Sequence, residues 1–224
     1  MNTNDFSCRR PYRSSRASRT VHVVALALVA AAALPACAPV LVGGAVVGGA
    51  LASVDRRTAG AQVEDQAIEL KVAARVSDLA GELAHVNATS YNRIVLLTGE
   101  VPDAAMRSAV EQAVGRIEGV RSVVNELAVM GKTTLTARSN DALLSARVKA
   151  GFIDAKDLQA QTVKVTTERG VVHLMGRVSE REAARAVEVA RSVPGVQKVV
   201  RVFEILTEEQ LAALLQSMGQ QPRK

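Results

Sequence analysis

The chain has 224 residues, 28 of them Lys or Arg and 22 Asp or Glu, giving a formal net charge of +6, with 2% aromatic residues and no Trp. Five Arg and a single Asp fall in residues 1–36, so the remainder carries 23 basic against 21 acidic side chains, about +2. The basic balance therefore does not signal a nucleic-acid surface. With Tyr91, Phe152 and Phe203 the sole aromatics after residue 36, the stacking platforms used on single strands are missing as well.

The N-terminus reads as an export signal. Arg9, Arg10, Arg13, Arg16 and Arg19 form a basic region, followed by the 14-residue apolar run "VHVVALALVAAAAL" and then "LPACAPV". A membrane-spanning helix wants ~20 apolar residues and a secretory core ~7–15, and Pro35 and Pro39 interrupt any helix continuing onward. "LPAC" resembles a bacterial lipobox, which makes residues 1–36 a signal peptide and Cys37 the lipidated first residue of the mature protein. The alternative is a cysteine inside a signal-anchor helix. With Cys8 removed and Cys37 acylated, no disulfide forms within the mature chain. Residues 37–65 are expected to be a glycine-rich tether close to the membrane surface; a second membrane-inserted hairpin is the competing reading.

An internal repeat organises the rest. "VNATSYNRIVLLTGEV" from Val86 aligns without gaps with "VKVTTERGVVHLMGRV" from Val163, and "GVRSVVNELAV" from Gly119 with "GVQKVVRVFEI" from Gly195. The two copies differ by one residue inside a connection. Each predicts a helix, two strands around a polar turn (Asn92-Arg93, Arg169-Gly170), a second helix opening at Asp103 or Ser179, and a third strand over Val120–Val129 or Val196–Ile205. "SERE" from Ser179 is a capping box, and Gly119 and Gly195 are expected to end the second helices. The expected fold class is α+β: domains over 66–130 and 140–206, each α-β-β-α-β with a three-stranded mixed sheet packed on two helices, joined by a linker at 131–139.

Each copy is small, and a domain of ~60 residues buries only about 60% of the surface its chain exposes, so the copies are expected to pack on each other. Residues 207–224 add a short amphipathic helix. Thr207 and Gln210 cap it, and Leu211, Leu214, Leu215 and Met218 follow helical spacing. Packing against the body is its expected role, with a partner or membrane contact as the alternative.

These features together resemble the BON-domain family, and within it the double-BON outer-membrane lipoproteins of the DolP type. The matching stretches are "LPAC", "DRRTAGAQVEDQAIELKV", "VLLTGEV", "VHLMGRV" and "TVKVTTERG" followed by "VSEREA". The resemblance implies a lipoprotein facing the periplasm that binds phospholipid and helps maintain outer-membrane integrity. It also implies, from Ala38 rather than Asp after Cys37, delivery to the inner leaflet of the outer membrane.

Catalytic chemistry is not expected. His173 lies in the polar phase of a strand and reads as a surface or sheet-face histidine. His85 falls in a connection beside Glu82 with no second ligand at metal spacing. Glu180-Glu182 and Glu208-Glu209 fall at helix starts, where they favour the macrodipole. No catalytic residue, metal or cofactor is therefore expected beyond covalent lipid on Cys37. Two functions compete: an anchored module that binds anionic phospholipid, and a protein-interaction scaffold for outer-membrane assembly proteins.

Charge favours the second copy as the lipid-facing one, with eleven basic and eight acidic residues over 139–206 against six and eight over 66–130. Aligning Lys71-Val72 with Arg147-Val148 makes Leu144, Val148 and Phe152 the core stripe of its first helix. Leu143, Ala146, Arg147, Lys149 and Ile153 then look outward as the candidate lipid-binding residues, Leu and Ile entering the acyl boundary and the cations meeting phosphate. The family resemblance points to the same helix, with Leu143 where close relatives carry Trp. The competing reading buries Leu143 and Ile153 against the first copy.

Overall fold

The computed structural model describes residues 55–219. The signal sequence, Cys37 and the tether up to Val54 lie outside the described residues, as do residues 220–224.

In the first domain, helix α1 spans Ala59–Ala80, capped by the Thr58 side chain, which accepts from the Ala61 N–H. It starts ahead of residue 66, where the domain was expected to begin. Strands β1 (His85–Tyr91) and β2 (Ile94–Val101) form an antiparallel hairpin. Its two-residue turn holds Asn92 at φ 50° and Arg93 at φ 68°, as a turn of mirror-image type requires. Helix α2 (Ala104–Gly115), capped by Asp103, returns the chain to β3 (Ser122–Asn125) and β4 (Ala128–Val129), both parallel to β2.

The second domain repeats the order. Helix α3 spans Leu135–Asp154, capped by Thr134, so the linker is shorter than 131–139. Strands β5 (Lys164–Glu168) and β6 (Val171–Ser179) form a hairpin through Arg169 and Gly170. Helix α4 (Glu180–Ser192) carries the full Ser179–Glu182 capping box, and β7 (Lys198–Leu206) pairs parallel with β6. Ile94 pairs with Ser122 but Val171 with Lys198, one residue sooner, and the helix caps Asp103 and Ser179 place the extra residue of the first copy between its second strand and its second helix.

Two expectations need correction. The last strand of the first domain is interrupted at Glu126–Leu127, where the Asn125 side-chain oxygen takes the Leu127 N–H at 3.1 Å, although the register is the same on both sides. The glycines do not end the second helices. Those helices stop at Gly115 and Ser192, and Gly119 (φ 93°) and Gly195 (φ 100°) shape the turns that follow.

Alternation along the strands buries both faces of each sheet. Val95, Leu97 and Val101 meet Ile68, Val72 and Val76 of α1 and Val110 and Val114 of α2. Val172, Leu174 and Val178 meet Val148 and Phe152 of α3 and Ala183, Ala186 and Ala190 of α4. The opposite faces pack on each other through Tyr91, Leu96, Met175 and Val202, flanked by Ile94, Val124 and Val200. The copies thus form four layers, helices outside and two sheets within. Side-chain hydrogen bonds cross the junction: Asn87 to Glu168 (3.1 Å), Asn92 to Glu204 (2.6 Å) and Lys164 to Glu69 (3.0 Å).

Helix α5 (Glu208–Gly219) opens with reciprocal Thr207 and Gln210 hydrogen bonds of 3.0 and 3.2 Å. Leu211 is buried against the body, Leu214 and Met218 are half-buried, and Leu215 stays exposed. Among the described residues no helix is long and apolar enough to cross a membrane.

Candidate functional site

Helix α3 has two unlike faces. Leu144, Val148 and Phe152 are buried in the second domain's core, while Leu143, Ala146, Arg147, Lys149 and Ile153 are all exposed. Leu143 is 58% and Ile153 71% accessible, so neither packs against the first domain. Two large apolar side chains are thus exposed on a helix already satisfied on its inner face, flanked by the cations Arg147 and Lys149.

The five residues do not converge on one spot. Leu143 and Arg147 border a cleft formed with Arg169, Gly170, Pro194 and Gly195. Lys149 and Ile153, toward the other end of the helix, border a groove between the domains with Asp55, Arg57, Tyr91 and Lys164. Leu143 and Ile153 are about 15 Å apart along the axis, with Ala146 between, so the site is an elongated strip rather than a pocket.

Groups at that groove are fixed firmly. Arg57 lies 4.3 Å over the Tyr91 ring and bonds Asp55 and Asp65, each at 2.7 Å. Burial works against its charge, but the two carboxylates prevail and raise its pKa. Burial, with the charge of Asp55 nearby, pushes the Tyr91 hydroxyl up to about 12. Lys149 is left as the exposed cation beside Ile153. Asp55, the first described residue, borders this same groove.

Several residues that organise the structure carry no obvious motif. Asp65 accepts from Ser90 Oγ, Asn92 N and Arg93 N at 2.7–2.8 Å and so holds the first hairpin turn. Asp141 does the same for Arg169 N and Gly170 N at 2.7 and 2.8 Å. The alignment that matches Lys71 with Arg147 also matches Asp65 with Asp141 and Thr58 with Thr134, so the repeat contained the signal. The first domain also exposes apolar groups on α1, Leu70 at 74% and Val63 at 66%.

His173 lies on a sheet face, one of the two placements expected, and at 2% exposed it is enclosed between the two sheets rather than at the surface. His85 opens β1 in register with Glu100, its Nδ1 lying 3.2 Å from Glu100 Oε2, and is not isolated from other ligating groups.

Two α-β-β-α-β units joined sheet to sheet, with an exposed apolar-cationic strip on one outer helix, define a tandem α+β domain protein. The BON domain profile matches residues 64–131 and 140–207. The chain is 37% identical over 186 residues to the Outer membrane lipoprotein DolP of Haemophilus influenzae, covering 82% of this chain and 95% of that protein. It is 36% identical over 152 residues to the 21 kDa hemolysin of Actinobacillus pleuropneumoniae, covering 67% and 78%. The chain belongs to the BON-domain family.

Proposed function

We propose that this is an outer-membrane lipoprotein without enzymatic activity, anchored through Cys37 on the periplasmic face, that binds anionic phospholipid through α3 and supports envelope integrity. The observation that carries the reading is the exposure of Leu143 and Ile153 beside Arg147 and Lys149 on a helix whose other face is core. The name of the Haemophilus relative supports the location.

The test is co-sedimentation of residues 38–224 with vesicles containing or lacking anionic lipid. Leu143→Glu or Ile153→Glu abolishes binding, and Lys149→Glu weakens it in a salt-dependent way. Unaltered binding by a folded Leu143→Glu, Ile153→Glu variant overturns the assignment. A second reading, a scaffold for outer-membrane assembly proteins, is favoured by the exposed Leu70 and Val63 on α1. It predicts normal envelope integrity in a strain carrying the α3 double variant and loss of integrity on Leu70→Glu.

A further inference from the structure

We propose that His85, Glu100 and Glu168 form a binding site for a first-row divalent cation of the zinc type, which fastens the two domains to each other. His85 and Glu100 come from the β1–β2 hairpin of the first domain and Glu168 from the end of β5 in the second. One ligating atom from each lies within 4.8 Å of the other two. Zinc bonds of about 2.1 Å set tetrahedral ligand atoms ~3.4 Å apart, so the cluster closes on an ion by side-chain adjustment alone.

The independent observation is the state of Glu100. It is fully buried (0% exposed), and only one of its oxygens is satisfied: Oε2 accepts from Thr133 N (3.1 Å) and Thr133 Oγ1 (3.2 Å) and faces His85 Nδ1. Oε1 has no hydrogen-bond partner. Its nearest cation, Arg169 Nη1, stands 3.7 Å away on a side chain 42% exposed, too far to hydrogen-bond and able to swing outward. A buried carboxylate oxygen without a donor is costly, and a cation satisfies it.

Glu168 is also buried and accepts one hydrogen bond, from Asn87. An imidazole with two carboxylates and no thiolate suits zinc, cobalt or manganese better than calcium or magnesium, and three protein ligands leave a fourth position for water. Arg138 and Lys149 border the cleft over His85 and Glu168.

The experiment uses the full mature chain in detergent micelles, stripped with chelator and titrated with zinc chloride, cobalt chloride or magnesium chloride. Zinc binds one per chain and raises the melting midpoint by several degrees, cobalt develops visible absorption bands of a low-coordinate nitrogen-oxygen site, and magnesium does neither. His85→Ala and Glu168→Gln lose the zinc shift and the cobalt bands, whereas His173→Leu, which removes a histidine outside the site, retains both. Glu168→Gln changes one atom and keeps the Asn87 contact, so loss of binding with an unchanged metal-free melt separates a ligand role from misfolding. Absence of a zinc-dependent shift in the parent, or the same one-per-chain binding in a His85→Ala, Glu168→Gln variant, overturns the proposal.

Discussion

Arg56 and Glu182 stand 126 positions apart in the chain and are joined by two parallel hydrogen bonds, Nη1 to Oε2 and Nη2 to Oε1, each 2.7 Å. Both side chains are buried, and Arg56 Nη1 also donates to the Arg177 carbonyl at 2.8 Å. Glu182 meanwhile accepts from Ser179 N at 3.0 Å, completing the cap of α4. The segment that precedes the first domain is thus fixed to the helix start of the second.

Removing one member of such a pair leaves the other charged and buried. Arg56→Ala is expected to destabilise the protein by about 3–5 kcal/mol in urea unfolding. A Glu182→Gln, Arg56→Ala cycle should show strong coupling between the two positions. A loss below about 1 kcal/mol for Arg56→Ala would mean that the contact contributes little.

Asp65 should matter more than its repeat partner Asp141. Asp65 accepts from Ser90, Asn92, Arg93 and Arg57, and holds two non-glycine residues at positive φ, whereas Asp141 serves Arg169 and Gly170. Hydrogen bonds to charged groups contribute about 1.5–3 kcal/mol each. Asp65→Asn is expected to cost roughly 3 kcal/mol and Asp141→Asn about half that, by the same urea measurement.

Burial alone would raise the pKa values of Asp65 and Glu182, but hydrogen bonds from Ser90 and from Arg56 respectively, with their other partners, lower both. Groups depressed in the folded state stabilise it above their unfolded pKa values, near pH 4, and this stability is lost as pH falls through the folded values. Acid unfolding that begins below about pH 4 in the parent should therefore begin at higher pH in Arg56→Ala.

Much of this architecture was legible because the chain states it twice. Aligned strand runs, the polar turns at Asn92 and Arg169 and the Ser179 capping box located most elements, and the Leu144, Val148, Phe152 stripe separated the two faces of α3. The helix starts were missed because Thr58 and Thr134 have Ala61 and Ala137, not Glu or Gln, three residues on, so no capping box marks them. The sheet-to-sheet interface was harder. Its residues include Thr98, Glu100, Thr166 and His173, whose polarity mimics a solvated strand face until a second polar face is set against it. Partners such as Asn87 and Glu168 lie in different copies, and a repeat aligns equivalents rather than contacts.

The glycine shared by "VLLTGEV" and "VHLMGRV" has a steric reason. A Cβ on Gly99 would collide with the His85 carbonyl oxygen, and one on Gly176 with the Thr162 carbonyl oxygen. Backbone cannot yield as a side-chain tip can, and Gly99 also sits at φ 112°. Gly99→Ala is expected to cost about 4 kcal/mol and Gly176→Ala about 3, through separation of the strand ends. Thermal melts and amide exchange of β1 and β5 check this: stable, fully protected strands in Gly99→Ala would contradict the collision.

His173 makes the junction between the domains sensitive to mild acid. Both ring nitrogens are buried without hydrogen-bond partners, and the closest acid, Glu126, has its Oε2 3.9 Å from Nε2. Burial lowers the pKa of His173; Glu126 and the backbone at Thr166 and Val171 oppose this only in part, and Lys198 adds to the lowering. The unfolded chain therefore takes the proton first. The neutral ring carries no penalty above pH 6.5, the ordinary histidine value, and stability declines as pH falls from there toward the folded value. Leucine fills a similar volume without polar atoms, and replacing an unpartnered polar group in this way is neutral or stabilising. His173→Leu is expected to match or exceed the parent by about 1 kcal/mol at pH 7.5 and by more at pH 5.5. Urea unfolding of both proteins at the two pH values measures the difference. A gap between variant and parent that does not widen on acidification would show that His173 is protonated in the interface without cost.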